Sequence, residues 1–175
     1  MTPHETIAIN RAPVLTLWAS VVAERLGYDH DEALSLGKAL AGINAQSKGR
    51  RLGIYKPSEG VTVMKPKTEG LLGIELMGRI VPAKKFAEGL RAVCEGRALD
   101  SAGVERYLEQ KFGDALDGVI KAMQDLAATF SPRELAARAF SLYERFRPVI
   151  PDGVRGWGVK GELDLDRIRS LAEKP

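Results

Sequence analysis

Residues 13–27 read PVLTLWASVVAERLG, and this stretch decides the fold of the N-terminal half of the chain. Apolar side chains recur there at helical spacing, with a second apolar stripe beside the first. A helix that is apolar over so much of its circumference is typical of the centre of a core. Gly27 predicts the helix end, because glycine readily takes the left-handed conformation of a C-cap. The expected inward positions are Val14, Leu17, Trp18 and Val21.

A second helix is predicted over residues 31–47, with Asp29 or Asp31 as its cap and two acidic groups in its first turn. Its small residues allow another backbone to approach closely. We expect that backbone to belong to a neighbouring helix, and the approach of a ligand or of DNA is the alternative. The small residues are Gly37, Ala39, Ala41, Gly42 and Ala45.

Residues 53–81 predict a small β-hairpin or sheet. Two short runs, 54–56 and 61–64, have strand character, and residues 57–60 (PSEG) have the composition of a turn. Residues 71–81 suggest a third strand, which the glycines in and beside it weaken.

The rest of the chain is predicted to be helical. Pro82 is expected to begin a helix over residues 83–95, with Phe86, Leu90 and Val93 inward. Further helices are expected at 100–112, 114–130, 131–147 and 164–172, the third of these beginning with a capping box at Ser131-Pro132-Arg133-Glu134.

The predicted fold class is therefore mainly α: a helical bundle with an N-terminal helix-turn-helix-like pair and a small β-hairpin or sheet near 53–81. The chain divides into a helix-turn-helix-like segment with the hairpin, residues 1–81, and a helical segment, residues 82–175. Because no linker separates them, the two are expected to pack as one compact unit.

Few residues point to catalysis. The single cysteine, Cys94, is expected to be a buried thiol on the 83–95 helix, and no spacing of histidines or cysteines indicates a metal site. We predict no catalytic residue, metal or cofactor. His30 lies between two aspartates, where a proton-active imidazole is an open alternative.

Positive charge is concentrated in the middle of the chain. The net charge is +3, and residues 48–97 carry eleven basic and five acidic groups. Such a local excess attracts a polyanion. We call the predicted nucleic-acid-binding residues the basic cluster: Ser47, Lys48, Arg50, Arg51, Lys56, Lys65 and Lys67. We expect the basic surface to extend to Lys84, Lys85 and Arg91. The alternative role of Lys48, Arg50 and Arg51 is to complement the dipole at a helix C-terminus.

Residues 14–65 resemble the winged helix-turn-helix family. Ala23 fits the point where the two helices cross, Gly27 fits the turn, and the strands that follow fall where the family keeps its wing. The resemblance implies a DNA-binding module with the second helix in the major groove. That helix starts with Asp29, Asp31 and Glu32, whereas family members usually present base-reading residues there. A helix hairpin without a DNA role is the alternative.

The predicted function is a nucleic-acid-binding protein that contacts phosphates through residues 47–67. The alternative is a helical protein-interaction or oligomerisation module, with a homodimer through the helical half, and the third hypothesis is an enzyme that acts on an anionic small molecule. We expect a cytoplasmic protein without a membrane segment, since the sequence shows neither a signal peptide nor a run of 18 apolar residues.

Overall fold

The computed structural model describes residues 6–51, 72–87, 89–94, 97–149 and 161–173. These residues form a mainly helical protein with two small antiparallel sheets. The helices are α1 Arg11–Leu26, α2 His30–Arg51, α3 Ser101–Phe112, α4 Leu116–Ala128, α5 Pro132–Phe146 and α6 Leu165–Glu173, with a short 3-10 turn Gly113–Ala115 before α4. The strands are β1 Thr6–Ile9, β2 Leu72–Leu76, β3 Arg79–Phe86, β4 Gly89–Cys94, β5 Arg97–Ala98 and β6 Gly161–Asp164.

Helix α1 lies at the centre of the core, which confirms the prediction from its apolar stripes. Every residue from Pro13 to Ala23 is buried. Helices α2, α3, α4 and α5 all contact α1. Gly27 ends the helix in the left-handed region, at φ 117°, and its N–H donates to a carbonyl of the last turn. A mainly helical fold with a small sheet is therefore confirmed, whereas the more specific arrangement, a bundle, stays a prediction.

Helices α1 and α2 run alongside each other as a helix hairpin. The Cα of Gly37 lies so close to α1 that an added Cβ would be 2.6 Å from the Thr16 carbonyl oxygen and 2.9 Å from the Ser20 nitrogen. Gly37 and Thr16 each lie about ten residues from the turn at Gly27, so the helices stay in contact far from their connection. The tight packing predicted for the small residues of α2 is found at Gly37.

Residues 79–94 are mainly strands, so the helix predicted over residues 83–95 is wrong. Strands β2, β3, β4 and β5 form one antiparallel sheet in that order. Ala83 pairs with Ala92 and both are fully buried, whereas Phe86, predicted to lie inward, is exposed. Cys94 consequently belongs to a strand and not to an apolar helix face.

Contacts with α2 explain why this segment is a sheet. The Leu90 N–H donates to Glu32 Oε2 at 2.9 Å, and the Ala92 N–H donates to Ser35 Oγ at 3.1 Å. These donors of β4 would otherwise be unpaired, and α2 supplies the acceptors. Alanine, lysine and leucine favour a helix locally, but hydrogen bonding to α2 and burial between α2 and the sheet favour the strand.

The expected third strand over residues 71–81 is two strands joined by a tight turn. Leu76 pairs with Arg79, and the two residues between them, Met77 and Gly78, have positive φ values of 51° and 79°. Two positive φ values are typical of the type I′ turns of two-residue hairpins. Gly78 therefore makes the turn that separates the strands. The strands predicted at 54–56 and 61–64 lie outside the described residues.

The predicted helices beyond residue 100 are confirmed as α3, α4, α5 and α6. At the start of α5, Ser131 Oγ accepts a hydrogen bond from the Glu134 N–H at 3.2 Å, and Glu134 Oε1 accepts one from the Ser131 N–H at 3.2 Å. This is the capping box that the sequence predicts, with Pro132 at the first helical position.

Replacing Ser131 by alanine should lower the free energy of unfolding by about 1 kcal/mol, since the variant leaves a helix N–H without its cap. Hydrogen bonds from Ser131 hold the pKa of the Glu134 carboxyl below its usual value. A lowered folded-state pKa stabilises the protein above the unfolded-state pKa, and this contribution is lost as the pH falls through the lowered value. Urea unfolding at neutral and acid pH should show the larger difference at neutral pH. An unchanged midpoint at neutral pH would contradict the role of the cap.

The described ends of the chain meet in a second sheet. Strand β1 pairs with β6, with Thr6 opposite Asp164 and Ile9 opposite Gly161. Helix α6 packs on α4, and its Ile168 and Leu171 belong to the same buried core as α1. Residue 82, the predicted start of the second segment, lies within β3.

Candidate nucleic-acid interface

The basic cluster falls partly on the end of α2. Ser47, Lys48, Arg50 and Arg51 all belong to this helix, which extends 22 residues to Arg51. At 1.5 Å per residue, the backbone positions of residues 47–51 span about 6 Å along the axis. The side chains of these four residues, and all of Lys56, Lys65 and Lys67, lie outside the described part of the structure.

Arg79 lies beside this end of α2. Its Nη2 donates to Asn44 Oδ1 at 3.4 Å. Asn44 is four residues before Lys48, which corresponds to about 6 Å along the helix. Arg79, the first residue of β3 after the turn, therefore lies next to the end of α2 that carries Lys48, Arg50 and Arg51. Sequence reasoning missed Arg79, because a hairpin that packs on a distant helix leaves no signal in local spacing.

The other basic residues expected to extend the surface have different environments. The Arg91 side chain is only 12% exposed, donates to the Leu90 carbonyl, and has Nη2 4.0 Å from Asp31 Oδ2. Lys84 pairs with Arg91 across the strands, and Lys85 is exposed at the end of β3. The Arg91 side chain therefore lies against the start of α2 and not against its basic end.

The Lys38 side chain also has a contact within the protein. Its Nζ lies 3.7 Å from the centroid of the Tyr107 ring, a cation–π contact between α2 and α3. Burial, reinforced by the positive charge of Lys111, lowers the pKa of Lys38 below its usual value. Lys38 thus joins two helices.

The carboxylates at the start of α2 cap the helix and attach it to the sheet. Asp29 Oδ1 accepts from the Glu32 N–H at 2.8 Å, and Glu32 Oε1 accepts from the Asp29 N–H at 3.0 Å. Glu32 Oε2 is the acceptor for the Leu90 N–H of β4. Asp31 lies 17 residues before Lys48, so these backbone positions are about 26 Å apart along the helix. The acidic start and the basic end are therefore at opposite ends of α2.

His30, for which the sequence left proton chemistry open, contacts two carboxylates. Its Nδ1 is 3.8 Å from Glu24 Oε2, and its Nε2 is 3.4 Å from Glu105 Oε1. His30, at the start of α2, thereby connects the end of α1 to the first half of α3. In the part of the chain that the structure describes, no three histidine, cysteine, aspartate or glutamate side chains are arranged to hold a metal ion.

Large apolar side chains are exposed at four described positions, and three of them are on the four-stranded sheet. Ile80, with 62% of its surface exposed, and Phe86 lie on β3, and Leu72 lies on β2. The fourth, Val149, bridges to Glu162. Among the described helices, none has the length and apolar character needed to cross a membrane.

Comparison of the chain with protein-family models, with curated proteins and with solved structures found no match.

Proposed function

We propose that this is a cytoplasmic nucleic-acid-binding protein that contacts phosphates through the basic end of α2. We define the basic end as Lys48, Arg50 and Arg51, and Arg79 of β3 lies beside it. Lysine and arginine neutralise phosphates without reading base sequence, and the counterions that they release provide most of the affinity. The remaining residues of the basic cluster are proposed as further phosphate contacts: Ser47, Lys56, Lys65 and Lys67.

The observation that carries this proposal is the hydrogen bond between Arg79 and Asn44. It brings an arginine that is 31 positions from Lys48 in sequence to within about one helical turn of the basic end. A helix C-terminus alone explains two or three basic residues, because they complement the helix dipole. An additional arginine held there by a separate hairpin exceeds that requirement and favours a polyanionic partner.

The acidic start of α2 does not oppose this binding mode. It lies about 26 Å along the helix from Lys48, whereas charges in solution are screened beyond about 8 Å at physiological salt. The carboxylates of Asp29 and Glu32 are also occupied as hydrogen-bond acceptors. Phosphates at the basic end would therefore experience little repulsion from them.

The proposed mode differs from major-groove reading by the start of the second helix. That start is capped and attached to β4 by Glu32, and the α1–α2 pair is a helix hairpin. The resemblance to the winged helix-turn-helix family stays a prediction, on which the phosphate contacts proposed here do not depend. The interaction-module and enzyme hypotheses stay predictions too.

Binding of a fluorescent 30-base-pair duplex, measured by anisotropy at about 0.15 M salt, tests this function. Each phosphate contact contributes a factor of about five at that salt concentration through counterion release. Lys48→Ala/Arg50→Ala/Arg51→Ala should therefore weaken binding about a hundredfold, and Arg79→Ala about fivefold. Arg79→Lys should bind nearly as well as the wild type, because a phosphate contact needs the charge more than the guanidinium shape.

Lys121→Ala is the matched control. Lys121 is an exposed lysine on α4 that pairs with Asp125 at 2.9 Å, and it is not part of the proposed site. This variant should bind the duplex like the wild type. If Lys121→Ala weakened binding as much as the change at Arg79, the affinity would reflect overall charge, and the proposed site would be wrong.

A further inference from the structure

A cavity of about 640 Å³ lies between α1, α2, α3 and the start of α4, at the end of α2 opposite to its basic residues. Cavities that bind small molecules typically measure about 300–1,000 Å³. The cavity therefore has the size of a ligand site, and the nucleic-acid proposal does not use it.

Hydrocarbon side chains from all four helices form the walls. Leu34 and Leu108 are buried members of the core, and Ile120 is half-buried. A ligand with an apolar body would remove this surface, as well as its own, from water. The apolar lining residues are Leu17, Val21, Leu34, Leu108, Leu116 and Ile120.

The charged residues that line the cavity are carboxylates from α1, α3, the 3-10 turn and the start of α4. They are Glu24, Glu105, Glu109, Asp114 and Asp117. Among the described residues that line the cavity there is no lysine or arginine, and His30 is the one other titratable group. An anionic ligand would be repelled here, whereas a cation would gain from every carboxylate.

Three of these carboxylates are available to a ligand. His30 occupies the other two, since it lies between Glu24 and Glu105. Among the described residues, no lysine, arginine or histidine comes within ion-pair distance of Glu109, Asp114 or Asp117. Glu109 is in the last turn of α3, Asp114 is in the 3-10 turn and Asp117 is in the first turn of α4, so the three line the cavity from one short stretch of the chain.

We propose that this cavity binds a small organic monocation, a primary ammonium group on a hydrocarbon or aryl body. The ammonium group lies against Glu109, Asp114 and Asp117, and the body lies against the leucine and isoleucine walls. The combination of apolar walls with carboxylates on one side selects such a ligand over a neutral hydrocarbon and over a fully hydrated polyamine.

Calorimetric titration with phenethylamine, hexylamine and cyclohexylamine at neutral pH tests the proposal. At least one of these amines should bind with a Kd of about 1 mM or below, which is attainable for ligands of this size. The corresponding alcohol should bind at least about tenfold more weakly, because it lacks the charge. Methyl NMR shifts of Ile120 should move on binding, whereas those of Ile168, a buried residue of α6, should stay in place.

Charge-removing variants assign the ammonium site. Glu109→Gln/Asp117→Asn should weaken the best amine about tenfold, since each exposed carboxylate contributes up to about fivefold. Glu144→Gln removes an exposed carboxylate of α5 that does not line the cavity, and its affinity should be unchanged. The proposal is overturned if none of the three amines binds saturably, if an alcohol binds as tightly as its amine, or if spermidine displaces the amine at lower concentration.

Discussion

Replacing Trp18 by alanine should lower the free energy of unfolding by about 3–5 kcal/mol, a large part of the stability of a protein of this size. Trp18 is fully buried in the middle of α1. Its Nε1 donates to the Ala139 carbonyl of α5 at 2.9 Å, and its ring meets that of Phe146 edge-on at 5.2 Å. The alanine variant loses these contacts and leaves a cavity between the two helices.

Urea unfolding followed by circular dichroism measures this change without relying on tryptophan emission. Trp18→Phe is the matched variant, because it keeps an aromatic ring and loses mainly the hydrogen bond to Ala139. We expect it to cost about 1–3 kcal/mol, because the ring is smaller and the hydrogen bond to the Ala139 carbonyl is lost. If the alanine variant unfolded within about 1 kcal/mol of the wild type, Trp18 would not connect α1 to α5 as described.

Replacing Gly37 by alanine should destabilise the protein by about 1–3 kcal/mol, although alanine is the better helix former. The added Cβ would meet the Ser20 hydroxyl and lie 2.6 Å from the Thr16 carbonyl oxygen, which belongs to the backbone of α1. A backbone atom cannot rotate away as a flexible side chain does. Helices α1 and α2 must therefore move apart, and the buried side chains between them lose contacts.

Gly42→Ala on the same helix is the control, and it should have the opposite sign. Apart from its chain neighbours and its own helix backbone, no atom of the described residues lies within 4 Å of the position where its Cβ would be. Alanine should therefore stabilise the protein by up to about 1 kcal/mol through helix propensity alone. Urea unfolding of the two variants under the same conditions separates packing from propensity. Destabilisation of similar size at both positions would contradict the close approach of α1 and α2 at Gly37.

Local signals predicted the helices well. Gly27 ends α1 in a left-handed conformation, and Ser131 with Glu134 begins α5 with a capping box. Both signals act between residues a few positions apart, and the sequence contains everything they need. The apolar stripes of α1 likewise predicted burial, because apolar side chains around most of a helix must be shielded from water.

The sheet could not be predicted in the same way. Residues 83–95 contain good helix formers after a proline, so local propensity favoured a helix. The strands depend instead on Glu32 and Ser35, which lie more than 50 positions earlier and accept hydrogen bonds from β4. Such distant partners are set by tertiary packing and leave no trace in the spacing of the segment itself.

The candidate sites show the same division. The sequence showed a compact basic run, and in the structure its residues all belong to α2: Ser47, Lys48, Arg50 and Arg51. Arg79 was missed because its neighbour Asn44 is 35 positions away. The cavity was missed for a similar reason, since its carboxylates come from α1, α3, the 3-10 turn and the start of α4, and only the packing of these elements brings them together.

The salt dependence of duplex binding tests phosphate contact by the basic end of α2 most directly. The affinity for a 30-base-pair duplex should be measured between about 50 and 200 mM salt for the wild type and for Lys48→Ala/Arg50→Ala/Arg51→Ala. The phosphate-contact model predicts a steep decrease of log affinity with log salt, and a slope that is shallower by about 2.7 in the triple variant, since each lost contact removes about 0.9. Equal slopes for the two proteins, or an absence of binding by the wild type at the lowest salt concentration, would contradict it.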